Sequence, residues 1–137
     1  MKFTAFFSAV FVCFSSIADE PKSIVKEFVA AFNEKNVAAM LKHADPKIRW
    51  MSIQVNELTI EAESKTALGT AMQGYFQSVP SAQSEIVNIF TNQNFVSTIE
   101  KATWSNNGVA KSQCSIGVYE LKNDKILNVW YYPAQPC

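Results

Sequence analysis

The sequence predicts an α+β domain: three N-terminal-side helices packed on a strongly curved antiparallel sheet, forming a cone with an internal pocket. Three observations predict it. Residues 24–50 read as helix, break, helix, strand, with Ile24, Phe28, Ala31 and Phe32 on one apolar helical face and Val37, Met40, Leu41 and Ala44 on the next. Nearly everything after Ser81 reads as strand, punctuated by Asn-containing turns. A chain of 137 residues suits one core rather than two, and 48% apolar against 18% charged residues excludes a disordered chain.

The elements follow in order. Pro21 opens a first helix over residues 22–33, since a missing N–H is harmless in a first turn. Asn33-Glu34-Lys35-Asn36 breaks it, and a second helix covers residues 37–44. Asp45-Pro46 then leads into a strand over residues 48–55, which carries Trp50, and residues 58–62 form a short second strand. Ser64 starts a third helix in which Leu68, Met72, Tyr75, Phe76 and Val79 repeat at three and four. Gly69 and Gly74 weaken that helix, and Pro80 ends it. Strands are expected over residues 85–90, 95–104, 109–121 and 126–132. Their turns are Asn92-Gln93-Asn94, Asn106-Asn107-Gly108 and Asn123-Asp124; Asn-Gly is the strongest of these signals because both residues tolerate positive φ.

Residues 1–18 differ from the rest. Lys2 precedes an almost wholly apolar or small run over residues 3–14, and Ser16-Ile17-Ala18 places small residues ahead of Asp19. This is the pattern of a cleaved secretory signal, so the expected division is a signal peptide at 1–18 and one domain at 19–137. The alternative is an uncleaved anchor, but the apolar run falls short of the roughly 20 residues that span a bilayer. Val12 before Cys13 does not suit lipidation, which wants a small residue there. The mature chain is therefore expected to be secreted or periplasmic and to need no membrane after cleavage.

Export leaves Cys114 and Cys137, an even count that suggests a disulfide. The hairpin through Asn123-Asp124 returns the chain to Pro133, near Cys114, and Pro133 and Pro136 can bend the tail back. Such a bridge would contribute roughly 3 kcal/mol. Two free thiols are the alternative.

Composition removes several function classes. The formal net charge is zero and no Lys/Arg run appears, so no nucleic-acid partner is expected. One histidine and scattered carboxylates give no metal-ligand spacing, and four glycines give no phosphate loop, so neither metal nor cofactor is expected. No Gly-x-Ser-x-Gly turn is present. The remaining catalytic candidates are His43 with Asp45, and Glu100. His43 suits a general base oriented by Asp45, or equally a helix C-terminal residue interacting with the carbonyl ends. Glu100 is placed on a central strand within reach of a cavity, or forms a solvated pair with Lys101.

At this point a resemblance emerges. Phe28-Val29-Ala30-Ala31-Phe32-Asn33 with Asn36, Ala44-Asp45-Pro46 before Ile48-Arg49-Trp50, Ala71-Met72-Gln73-Gly74-Tyr75-Phe76, and the ending from Lys125-Ile126 to Tyr131-Tyr132 carry it. Over nearly all of the mature chain the sequence resembles the nuclear transport factor 2-like superfamily, in particular its SnoaL-like and ketosteroid-isomerase-like branch. That cystatin-like α+β fold hosts isomerases, dehydratases, cyclases, binding modules and oligomerisation domains, so the resemblance implies architecture more than reaction. The isomerase constellation fails residue by residue. Its tyrosine falls on Phe28, its base on Met51 or Ser52, and its second acid near Gly117, and none of these can do the chemistry.

The family register also implies a pocket lining. It turns Gln113, Ser115, Gly117 and Tyr119 inward on one strand and Val129 and Tyr131 on the next, faced by Phe28 and Tyr75, with Trp50 as a wall. Phe28, Trp50, Tyr75, Gln113, Ser115, Tyr119, Val129 and Tyr131 are therefore the expected ligand-binding set. The competing reading is that the aromatic residues fill the cone. Cys114, Ile116, Val118, Trp130 and Tyr132 turn to the outer face, through which family members dimerise, so a homodimer is implied. The expected function is small-molecule binding, apolar or aromatic in class. The alternatives are an isomerase, dehydratase or cyclase with an atypical site, and a dimeric interaction module.

Overall fold

A computed structural model describes residues 20–133. The expected signal peptide at 1–18 and Cys137 lie outside these residues. The elements run α1 (Glu20–Asn33), α2 (Val37–Lys42), β1 (Ala44–Gln54), β2 (Glu57–Ala62), α3 (Lys65–Ser78), β3 (Gln83–Asn92), β4 (Phe95–Asn106), β5 (Val109–Lys122) and β6 (Lys125–Pro133). Six strands form one unclosed sheet in the order β2-β1-β6-β5-β4-β3, as the α+β reading predicts.

The helices begin and end where local chemistry requires it. Glu20 and Pro21 stand in the first turn of α1, where a negative charge and a missing N–H are both favourable. Lys35 turns the chain with φ 57°, and its ammonium covers the rings of Phe32 and Phe76 at 5.3 and 5.2 Å while donating to the Ala82 carbonyl. Burial there lowers the Lys35 pKa. Asn36 caps α2 by accepting from Ala39 N at 3.0 Å, and Ser64 caps α3 by accepting from Ala67 N at 3.1 Å. The α2 helix stops at Lys42 rather than Ala44, because the residue before Pro46 must be extended and β1 already begins at Ala44.

The turns at Asn107-Gly108 and Asn123-Asp124 have positive φ at both central residues, the geometry that two-residue hairpins favour. One expectation is corrected. The sheet is antiparallel within β1-β2 and within β3-β4-β5-β6, but β1 and β6 pair in parallel. The chain folds two antiparallel units and joins them along one seam. Side-chain alternation sets which face is buried and carries no information about the direction of that seam.

One core fills the space between helices and sheet. Val25 and Phe28 of α1, Met40 of α2, Leu68 of α3, and Ile48, Val96, Tyr119, Ile126 and Val129 of the sheet are buried. A clamp ties α1 to the sheet. Asn33 donates through Nδ2 to the Ser84 carbonyl at 2.8 Å and accepts from Ser84 N at 2.7 Å, so a side chain serves as a one-residue strand partner for β3. Among the described residues, no helix is long and apolar enough to cross a membrane.

Candidate functional site

The cone is not filled. A cavity of about 380 Å³ lies between α1, α3 and the inner sheet face. Two aromatic groups shape it. Towards the outside, Tyr75 is 40% exposed, and its ring lies 6.0 Å from that of Phe32. Deeper, Trp50 stacks on Tyr131 at 5.1 Å across the parallel seam, Phe28 lies 5.9 Å from Trp50, and Tyr119 meets Tyr131 edge-on at 6.2 Å. Aromatic walls with few polar points are the usual form of a small-molecule site.

The polar points converge at the deep end. Glu100 points inward from β4 and is only 3% exposed. Its Oε1 accepts from Thr98 Oγ1 at 2.7 Å and from the Tyr119 hydroxyl at 2.7 Å. Its Oε2 accepts from Ser84 Oγ at 2.9 Å and from the Tyr131 hydroxyl at 2.6 Å. The two tyrosine hydroxyls are 2.7 Å apart. Four strands thus contribute one side-chain network: Ser84 from β3, Thr98 and Glu100 from β4, Tyr119 from β5 and Tyr131 from β6. Among the described residues, no cation pairs with Glu100. Burial pushes both phenol hydroxyls well above the usual tyrosine range. For Tyr119 the Tyr131 hydroxyl and the Glu100 carboxyl add to the effect, and for Tyr131 the Glu100 carboxyl does. A second polar point lies on the cavity wall, where Ser52 Oγ donates to Glu61 Oε1 at 2.7 Å.

Gly117 leaves room for this network. A Cβ at Gly117 would stand 2.6 Å from Thr98 Oγ1 and 3.1 Å from Glu100 Oε1. The position where the family pattern puts an acid is therefore bare, and the space is occupied by a carboxyl reaching across from the neighbouring strand. The solvated Glu100–Lys101 pair is overturned for the same geometric reason: strand alternation puts the two residues on opposite faces, and Glu100 takes the inner one.

Of the expected lining residues, Phe28, Trp50, Tyr75, Ser115, Tyr119 and Tyr131 border the cavity. Gln113 and Val129 do not, and the expectation is corrected. Gln113 pairs with Ala102, and at that level of the sheet Ala102 borders the cavity in its place. Val129 is fully buried in register between Trp50 and Tyr119, whose rings form the wall in its place. Glu61, Ser84 and Thr98 were not legible as site residues, and Ser52 was named only as a position that cannot serve as a base, because small hydroxyls and a surface-looking glutamate carry no signal without a partner in view.

His43 and Asp45 lie away from the cavity. His43 ends α2, and its Nε2 stands 3.6 Å from the exposed Glu27 carboxylate. Asp45 accepts from Lys47 N at 2.8 Å, a local bond at the irregular start of β1. The two do not act together as base and orienter. Burial lowers the His43 pKa against the smaller raising effect of Glu27; Lys125 and Lys42 add to the lowering. The folded state therefore takes up a proton less readily than the unfolded chain. The His43 contribution to stability is full above about pH 6.5 and falls as the pH drops through that value. Urea midpoints measured on both sides of it should show this fall, and His43→Gln should flatten it. A slope unchanged in His43→Gln would refute the assignment. Among the described residues, no three His, Cys, Asp or Glu side chains group to hold a metal.

The comparisons with known proteins agree with this geometry. Residues 25–129 match the SnoaL-like domain family. No curated protein matches the chain. An uncharacterised cystatin-fold protein from Novosphingobium aromaticivorans shares the fold at a TM-score of 0.71 and 16% identity, covering 81% of this chain and 96% of that one. An NTF2-like protein of unknown function from Cytophaga hutchinsonii superposes at 0.66 with 19% identity over 83% and 89% of the two chains. TerC, crystallised with polyporic acid, superposes at 0.71 with 6% identity over 84% and 92%. With a cone, an inner cavity and a family match over most of its length, the chain belongs to the SnoaL-like domain family.

Proposed function

We propose that the protein binds a small apolar or aromatic molecule inside the cone. One observation carries this reading: a cavity of about 380 Å³, walled by Phe28, Trp50, Tyr75 and Tyr131, that ends on a single cluster of hydrogen-bonding groups. Apolar walls supply affinity, and a confined polar point supplies orientation. TerC, which shares the fold, was crystallised with polyporic acid. The test is native mass spectrometry of the protein from its own source, followed by denaturation. A stoichiometric small molecule should be released, and Tyr75→Ala should lower its retention several-fold. Retention unchanged in both Tyr75→Ala and Trp50→Ala would sink the reading.

Three further proposals belong with it. Residues 1–18 direct export, so the mature chain is secreted or periplasmic. Cys114 bridges to Cys137, and reduction should raise the intact mass by two hydrogens; no change would refute it. The outer sheet face pairs two copies of the chain. Ile99, Ile116 and Tyr132 stand in one cross-strand row at 38%, 48% and 40% exposure, more apolar surface than a lone sheet face normally presents. Sedimentation should show a dimer that Ile116→Asp dissociates, and a wild-type monomer would exclude it.

A further inference from the structure

In β2, Glu61 and Ala62 are successive residues, and both border the cavity. Regular alternation would send one of them to the outer face. The pairing with β1 explains the exception. Trp50 stands opposite Ala62 and Met51 opposite Ile60, so the register slips by one and Glu61 has no partner on β1. Glu61 is thus the extra residue of a β-bulge, a device that re-aims a side chain. Here it turns a carboxylate to the inner face of an edge strand.

That carboxylate is anchored at one oxygen and open at the other. Ser52 Oγ donates to Glu61 Oε1 at 2.7 Å, whereas among the described residues no side chain donates to Oε2 and no cation pairs with Glu61. Glu61 is also exposed, which places it at the open side of the cavity. Glu100, the other acid on the lining, is already taken up by four donors. Among the described residues, no lysine, arginine or histidine borders the cavity. An anionic ligand would meet a carboxylate with no cation to offset it. A cationic ligand would meet both the carboxylate and aromatic faces, first Trp50, which stands opposite Ala62 beside the bulge, and then Phe28 and Tyr131 packed against Trp50.

We propose that Glu61 is a specificity-determining residue that selects an organic ammonium. The occupant is a molecule whose aromatic body fills the cavity and whose protonated amine donates to Glu61 Oε2. Ser52 is a positioning residue, holding Oε1 against the wall and leaving Oε2 for the ligand. A neutral molecule of the same shape gains the aromatic contact alone, and an anionic one is repelled at the opening. This inference rests on the cavity being a binding site and adds the charge of what enters it.

Three probes of similar shape separate the two claims. They are 2-naphthylethylamine, protonated at neutral pH, its uncharged isostere 2-propylnaphthalene, and the anion 2-naphthylacetate. Glu61→Gln keeps an acceptor for Ser52 and the length of the side chain while removing the charge. It should weaken the amine about fivefold, the scale of a partly exposed ion pair, and leave propylnaphthalene unchanged. In wild type the amine should bind more tightly than the acetate, by a margin that shrinks as salt is raised. A bulge that only blunts the edge strand makes no distinction between probes. Equal effects of Glu61→Gln on amine and hydrocarbon therefore overturn the proposal. Acetate binding as tightly as amine in wild type overturns it as well, and needs no variant to fold. Binding of propylnaphthalene without the amine leaves the cavity a binding site and removes the charge selection. Binding of no probe overturns both readings together.

Discussion

Phe28→Ala is expected to lower the unfolding free energy by about 3–5 kcal/mol, a fall of roughly 10–20 °C in Tm. Phe28 is 1% exposed and packs between α1 and the sheet, against Trp50 and Tyr119. Truncation removes the transfer energy of a buried ring and leaves a void that neighbours on rigid strands cannot close. That void opens directly into the existing cavity, because Phe28 also forms part of its wall. A probe held by the cavity should therefore bind less selectively as well as to a less stable protein. Calorimetry and urea titration check the first effect. A loss under 1 kcal/mol would mean that α1 does not close the cone as described.

Glu100→Ala is the second large effect, an expected loss of about 3 kcal/mol. Four hydroxyls lose their shared acceptor in this variant. Tyr119 and Thr98, at 0% and 1% exposure, cannot turn to bulk water, and each stranded buried donor costs about 1–3 kcal/mol. Tyr119 and Tyr131 recover part of the loss by pairing with each other. The contrast with Ser84→Ala is informative, because that variant removes a single donor and leaves the carboxyl with three. Chemical denaturation of both variants should separate them by more than 1 kcal/mol. Equal and small losses would show that the cluster is solvated rather than closed.

The architecture was largely readable in the chain because it rests on local signals. The helical faces of Ile24-Phe28 and Met72-Phe76, the break at residues 33–36, the helix start at Ser64, and the turn at Asn107-Gly108 each declare themselves within a few residues. The parallel seam between β1 and β6 did not, since neither strand records the direction of its neighbour. The aromatic walls were legible in part: Trp50 and Tyr131 follow from strand alternation, and Phe28 and Tyr75 from helical spacing, once the fold is known. Gln113 and Val129 were misplaced because alternation gives the face of a strand and not which side chain on that face reaches the open space.

The oxygen cluster was the least legible part. Glu100 beside Lys101 reads as an ordinary surface pair, and only the cross-strand register shows five side chains meeting. Gly117 carried a hidden signal. A glycine inside a long β-rich strand marks a place where something approaches closely, here the Thr98 hydroxyl and the Glu100 carboxyl.

The seam has a consequence for how the protein acquires its site. Trp50 stands on the β1-β2 hairpin and Tyr131 on the four-stranded unit, and they meet only where β1 lies alongside β6. The hairpins bring together residues close in sequence and can assemble early, whereas the seam closes a loop spanning most of the chain. The cavity is thus expected to form late in folding. A nascent or partly unfolded chain can hold most of its secondary structure and yet have no pocket, so a captured molecule reports on completed closure, and a molecule that fits should act as a fastener across the seam.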